Sequence, residues 1–419
     1  MTDFLEKINS FIWGAGLIFL LLFTGLIYTV KLRFVQFRMI PFLIRNGRKE
    51  SHKNNNGISQ FRTVCMSLGT AMGTGNIAGV ATAVATGGAG AVFWMWVSAF
   101  FGMALVYAEN SLSVTYSTED SKGPMAYLSI GLGSRKLAVV FAVSCILASV
   151  GMGGMVQVNT FIESLKSCVN INSFVIAGII FIMIFLVVSG GAERIGKTAQ
   201  MLLPAVSLFY IAGCIMVLFV FRKNIPYAFG EIFRQAFGIR QTVGGISGYA
   251  VSKAVSTGIR RGIFSNEAGL GSSPVLHSAA ESDSPKLQGM WSMFEVFFDT
   301  VICCTLTAVT VICASDDFSV QTAFSSVIGN YAPPFLAFET AVFAFCTIIG
   351  WYYCGETAFR WLAGKKCGKI PSIVFASVAS LGAVFTMQTV WTLSDIFNGL
   401  MAFPNLAGLI LLMNKVRKE

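Results

Sequence analysis

The chain is 419 residues long, 55% hydrophobic and only 12% charged, with a mean hydropathy of +0.70. Ordinary soluble domains carry roughly 25% charged residues, so this composition excludes a soluble fold and reads as a multi-pass protein of the cell (plasma) membrane. A net charge of +10 would suit a nucleic acid, but the basic residues gather in a few loops between apolar runs, which points to membrane orientation and to no nucleic-acid partner.

A hydrocarbon core about 30 Å thick takes roughly 20 apolar residues per helical span. In chain order the uncharged runs are 11–30, 63–108, 137–162, 167–192, 198–221, 370–394 and 396–414. The second divides at Gly87-Gly88-Ala89-Gly90, where glycines let a chain reverse. Three further spans carry polar residues: 262–280, 289–314 with Asp299, and 334 to 362. The total is eleven, all helical. The first run is too long, and too poorly followed by a small-residue cleavage site, for a removed signal peptide. Of ten cysteines, Cys145, Cys214, Cys303, Cys304, Cys313 and Cys346 fall within spans and read as small core hydrophobes rather than a disulfide framework.

Lys31, Arg33, Arg38, Arg45, Arg48, Lys49, Lys53 and Arg62 between the first two spans assign that loop to the cytoplasm. The N-terminus is then outside and, after eleven spans, the C-terminus inside. Arg194, Lys197, Lys365, Lys366, Lys369, Lys415, Arg417 and Lys418 fall inside under the same scheme. The basic exception is 222–261, where Ile225, Phe229, Ile232, Phe233, Ala236 and Phe237 recur at helical spacing. That spacing predicts an amphipathic helix on the outer membrane surface.

The tetrad N76-I-A-G79 returns as N266-E-A-G269, 190 residues later, each beside a small hydroxyl residue, Thr74 or Ser265. With the first span set aside, the tetrads fall in the first and sixth of ten spans. Five is odd, so the second half has the opposite orientation, the inverted-repeat plan of secondary transporters. The chain accordingly divides into an extra span with its basic loop (1–62), a first five-helix repeat (63–221), an external connection (222–261), a second five-helix repeat (262–414) and a cytoplasmic tail (415–419).

Gly69, Gly73, Gly75 and Gly79 each weaken a helix by roughly 1 kcal/mol relative to alanine, so the helix is expected to break among them. Broken backbone at membrane depth is tolerated where protein buries it or a wet cavity meets it. A half-helix N-terminus can face a carboxylate, and freed carbonyls can coordinate a small cation. A small-residue packing face is the bland reading, disfavoured by the polar Thr70, Thr74 and Asn76 in the same turns.

At these residues the chain resembles the alanine or glycine:cation symporter (sodium:alanine symporter) family. The resemblance rests on G73-T-G-N-I-A-G-V-A-T-A83, F93-W-M-W96, G151-M-G-G-M-V-Q157, R261-G-I-F-S-N-E-A-G-L-G-S-S-P274, F298-D-T300, T347-I-I-G-W351 with G355-E356, and D395-I-F-N-G-L-M-A-F-P-N405. It implies the five-plus-five inverted-repeat fold shared with leucine-type sodium symporters, and uptake of a small neutral amino acid driven by Na⁺ or H⁺. The segment A71-M-G-T-G-N76 further looks like the A-V-G-L-G-N break of neurotransmitter:sodium symporters. By that similarity the backbone of Thr74 and Gly75 meets the substrate carboxylate, and Thr70 and Asn76 lie beside the substrate or a first ion. The carbonyls of Gly69 and Met72 then face a second Na⁺ site, with Thr347. Relatives usually have Ser-Thr where this chain has Cys346-Thr347, so one hard oxygen ligand is replaced by a soft thiol.

Ser265 and Asn266 at the second break join the expected substrate set. Gln157 follows Gly151, Gly153 and Gly154, whose small size permits close approach; its amide bonds either the substrate or a neighbouring helix. Trp351 and, more weakly, Phe161 are candidate walls for a short side chain, an interface anchor being the alternative for Trp351. Asp299 is an intramembrane carboxylate, with structural bracing ahead of proton carriage. Glu267 is expected to pair with Arg260 or Arg261, and Glu109, Glu356 and Asp395 to lie near span ends.

An enzyme would need grouped nucleophiles, acids or metal ligands, but the two histidines, His52 and His277, are far apart in the chain and no nucleophile–base pair is visible. A channel would use the same polar breaks without saturating, and a non-transporting sensor would bind without translocating.

Overall fold

The computed structural model describes residues 2–46, 58–166, 168, 172–238, 246–280, 284–364 and 368–416. The basic residues Arg48, Lys49, Lys53, Lys365, Lys366, Arg417 and Lys418 used above for orientation lie outside them. Among the described residues the regular structure is all helical, apart from an isolated bridge between Ile58 and Ala280.

Helices α1 (Thr2–Ile12) and α2 (Ala15–Lys31) meet at Trp13-Gly14 and form one apolar rod, followed by the short α3 (Met39–Asn46). An interrupted helix follows, α4 (Gln60–Ala71) and α5 (Val80–Gly87), the latter entered through a π-helical turn at Gly75–Gly79. The chain reverses at Gly88, whose φ of +75° favours glycine and whose missing side chain leaves room for the Gln235 amide. Then come α6 (Gly90–Tyr116), α7 (Gly123–Ala126), and α8 (Arg135–Ala148) continued through a π-helical stretch into α9 (Gln157–Lys166).

Next are α10 (Ser173–Val188), α11 (Gly191–Val220) and the amphipathic α12 (Ile225–Phe237), which buries Ala228, Ile232 and Ala236. The second interrupted helix is α13 (Ile246–Asn266) with α14 (Ser272–His277). It is followed by α15 (Pro285–Val296), a π-helical stretch and α16 (Thr305–Ala314), then α17 (Val320–Ile328), α18 (Ala332–Ala363), α19 (Ile370–Ser380) and α20 (Met387–Leu411).

Among the described residues, seven continuous helical stretches are long and apolar enough to cross a membrane, and Ser173–Val188 and Ile370–Ala383 are shorter apolar helices. The sequence boundaries differ from this in three places. The last two spans do not divide beside Asp395: the turn falls at Val384–Thr386, because Asp395 is neutralised inside the protein by Arg260 and needs no loop. The sixth expected span begins at Ile246 rather than residue 262, so a helix with Lys253, Arg260 and Arg261 enters the break. The helix expected from 198 begins at Gly191 and carries Glu193, Arg194 and Lys197 on its first turns.

Two groups of helices pack against one another. Helices α5, α6, α13, α15 and α16 form one, with α13 and α15 laid along α6; α8, α9, α10, α18, α19 and α20 form the other. The first half-helix α4 runs between α11 and α18, so the first break sits at the seam. Exposed Phe174, Val175, Ile179 and Ile182 on α10 suit a lipid-facing surface.

Candidate functional site

The first break is narrower than the glycine series predicts. The α-helix runs through Gly69 and ends at Ala71; Met72 turns out of helical geometry with ψ 82°, and the helix resumes by Thr74. Gly73 is required by crowding: a Cβ there would meet the Thr347 hydroxyl at 2.6 Å and the Gln157 amide oxygen at 3.1 Å. Side chains from two other helices thus press against the opened backbone.

They meet it chemically as well. The Thr347 hydroxyl on α18 donates to the Gly69 carbonyl at 3.0 Å, and the Gln157 amide oxygen accepts from the Thr74 N–H at 3.3 Å. Gln157 also donates to the Met152 carbonyl at 3.2 Å, so its amide braces α9 while reaching the break. The Cys346 Cβ packs 3.3 Å from where a side chain on Gly69 would sit. Met72 is fully buried, and the Thr74 hydroxyl is a buried oxygen with no hydrogen-bond partner among the described residues. The Thr70 hydroxyl is committed to its own helix, donating to the Met66 carbonyl at 2.6 Å.

The second break follows Asn266. Glu267 takes the left-handed conformation at φ +56°, and Gly269 and Gly271 both stand at φ +85°. Left-handed backbone costs roughly 1–2 kcal/mol at a residue with a side chain, so the bonds of Glu267 matter. Its carboxylate accepts from the Ser272 hydroxyl and, at 2.8 Å, from the Trp351 indole. This corrects the expected pairing with Arg260 or Arg261: Arg260 pairs instead with Asp395. Trp351, fully buried, is thereby tied to the second break, and the space that Gly153 leaves by lacking a side chain is filled by Trp351 itself. Phe161 on α9 is half-buried and packs against the core.

One carboxylate joins the two breaks. Asp299 accepts from the Asn76 amide at 2.7 Å on one oxygen, and from the hydroxyls of Ser265 and Thr300, both at 2.8 Å, on the other. Asn266 donates to the Thr300 hydroxyl at 3.1 Å. The sequence-predicted residues therefore fall into two sets. Gly69, Thr74, Gln157 and Thr347 converge on the first break; Asn76 and Ser265 converge on Asp299, and Asn266 joins them through Thr300. Gly75 lies against the Phe264 ring, 3.4 Å from where its Cβ would be.

Glu109, in the second half of α6, is fully buried and accepts from the Asn405 amide. Asp395 is likewise buried, whereas Glu356 pairs with Arg360 one turn away. Phe264, directly before Ser265, and Trp391 stack across two helices distant in the chain, 4.8 Å between ring centres, a pairing with no local signal in the sequence.

Long apolar helices around polar, mid-helix interruptions are the build of an integral membrane transporter. The chain belongs to the sodium:alanine symporter family, whose model matches residues 1–419. It is 36% identical to the sodium/alanine symporter AgcS of Methanococcus maripaludis, over all of this chain and 96% of that protein. It is also 36% identical to the amino-acid carrier protein AlsT of Bacillus subtilis, over 98% of this chain and 89% of that protein. A transporter of Haemophilus influenzae is 37% identical over the whole chain and 95% of its own length. The protein is thus a multi-pass, cation-coupled amino-acid symporter and not an enzyme.

Proposed function

We propose that the chain takes up a small neutral amino acid, alanine or glycine, with Na⁺ by alternating access, using eleven spans arranged as one extra helix plus a five-plus-five inverted repeat. The pair of interrupted helices 190 residues apart supports the repeat, since α4–α5 and α13–α14 would then be its equivalent members. The N-terminus outside and the C-terminus in the cytoplasm follow from the loop charges.

The observation that carries the coupling is the Thr347 hydroxyl on the Gly69 carbonyl. Two oxygens, one from α4 and one from α18, face each other beside opened backbone, and a Na⁺ entering between them would replace that hydrogen bond and draw α4 to α18. The Met72 carbonyl is the further oxygen in this reading, while Cys346 contributes none. The amino acid's carboxylate would take the N–H groups of Thr74 and Gly75, which releases the Gln157 amide to turn toward its ammonium. Trp351, held by Glu267, and Phe161 would bound the small side chain. Ion first and substrate second gives cooperativity, because the ion orders the break before the amino acid arrives. The group of α5, α6, α13, α15 and α16, with α4, would then rock against the rest.

Counterflow and gradient-driven uptake of labelled alanine in proteoliposomes tests this, with Na⁺ and pH gradients imposed separately. Uptake following the Na⁺ gradient is expected. Accumulation on the pH gradient alone would make H⁺ the coupling ion, the reading favoured by the missing second hydroxyl at Cys346. Equal alanine affinity with and without either ion would end the coupling scheme.

A further inference from the structure

The carboxyl of Glu339 serves neither break. It lies on α18 about two turns before Thr347, toward the outer end in the orientation proposed above, and is fully buried. Phe335 and Phe343, one turn to either side, share its face of the helix, and both rings meet α11. Phe343 stands edge-on to Tyr210 with ring centres 6.0 Å apart, and Phe335 lies 3.1 Å from where a side chain on Gly213 would sit. Glu339 therefore points at α11 between Tyr210 and Cys214. Helix α16 packs on the same stretch of α11, and the Cys214 thiol has Glu339, Thr310 and Tyr210 as polar neighbours. Helix α17 closes the seam, with Phe324 stacked on both Tyr210 and Phe335.

Both oxygens of Glu339 and the hydroxyl of Thr310, itself fully buried, have no hydrogen-bond partner among the described residues. None of the ion pairs among those residues includes Glu339. The buried carboxyls of Glu109, Glu267, Glu295, Asp299 and Asp395 each have at least one bonded oxygen, so Glu339 stands apart from them. Thr307 donates to the Cys303 carbonyl at 3.2 Å, which makes Tyr210 the donor in the 2.7 Å bond between their hydroxyls and leaves lone pairs on the Tyr210 oxygen. A carboxylate taken out of water without a counter-charge is among the costliest groups to bury. A proton answers this only in part, because its own O–H would lack an acceptor among these residues. A small hard cation answers it in full: it takes oxygen ligands, a single carboxylate balances a single positive charge, and the soft Cys214 thiol does not compete for it.

We propose that Glu339, Thr310 and the Tyr210 oxygen form an additional Na⁺ site, enclosed between α11, α16 and α18 beneath α17 and separate from the ion assigned to Thr347 and Gly69. Helix α16 belongs to one helix group and α18 to the other, so a cation bridging Thr310 to Glu339 holds the outer side of the seam closed. Its outward placement uses the orientation proposed above; the site itself stands apart from the transport reading.

The test is the melting temperature of the purified full chain in NaCl against KCl at equal ionic strength and fixed pH, in a Thr347→Val background that weakens the ion site at the first break. NaCl is still expected to raise the melting temperature there, by about 3 °C or more. Glu339→Gln added to that background is expected to remove at least half of the difference. Thr310→Val, close to threonine in shape, is expected to raise the Na⁺ concentration for half the shift at least five-fold, and it decides the matter if the Glu339→Gln protein does not fold. Equal melting in the two salts in the Thr347→Val background overturns the proposal, even if Glu339→Gln alters the pH dependence of melting, which would make the occupant a proton. A Na⁺ shift that Glu339→Gln reduces by less than half overturns it too, as does, where that variant does not fold, a Thr310→Val titration less than five-fold from the background. No step reads alanine, so failure of the transport reading would leave this result standing.

Discussion

Asn76 of the first interrupted helix donates to Asp299 at 2.7 Å, and this bond ties the two breaks together, because Ser265 of the second interrupted helix donates to the other oxygen of the same carboxylate. With Thr300 as a third donor, the Asp299 side chain is an acceptor in every bond it makes, which is the arrangement of a brace. Exchanging the carboxylate for an amide turns one of its acceptors into a donor facing donors. Asp299→Asn is therefore expected to lower thermal stability by about 1–3 kcal/mol and to weaken alanine binding and driven uptake together. Differential scanning fluorimetry with equilibrium binding checks this; loss of driven uptake with binding intact would identify a proton carrier instead.

Thr347 and Cys346 give opposite expectations at one site. Thr347→Val removes the oxygen that meets the Gly69 carbonyl and is expected to raise the Na⁺ concentration for half-maximal uptake at least ten-fold. Cys346→Ser adds a hard oxygen beside Gly69 and is expected to lower it several-fold. Na⁺ titration of alanine uptake reads both; a Cys346→Ser protein indistinguishable from wild type would remove that position from the ion site.

Gly153 has no room for a side chain, since Trp351 occupies the space. Gly153→Ala is expected to displace the indole, loosen its bond to Glu267 and cost about 1–3 kcal/mol of stability by overpacking. Counterflow should fall at least ten-fold in the same variant. Thermal melting and counterflow at wild-type levels would mean that Trp351 is not held by this contact.

Asp317, in the connection after α16, is fully exposed, and its carboxylate is held below the ordinary range by the Ser315 hydroxyl, the Ser319 N–H and the Thr322 hydroxyl. A carboxyl depressed in the folded state stabilises at neutral pH and loses that contribution as pH falls through its folded value, below the ordinary carboxylate pKa of about 4. Asp317→Asn is expected to flatten this acid limb in melting temperature against pH. An unchanged acid limb would assign it to other carboxylates.

The sequence by itself determined the membrane class, most helices, the amphipathic α12, the position of both interruptions and the family, because hydropathy, glycine placement and short motifs are local properties. Boundaries failed where charge was taken as a loop signal. Asp395 and Arg260 sit inside helices because each neutralises the other across 135 residues of chain, a pairing no local pattern records. The tertiary structure alone decided partners: Glu267 to Trp351 rather than to a neighbouring arginine, Asn76 and Ser265 to one carboxylate, Phe264 to Trp391. A buried polar group must find a complement wherever packing supplies one, so its chemistry was legible in the chain while its counterpart was fixed only by how the helices cross.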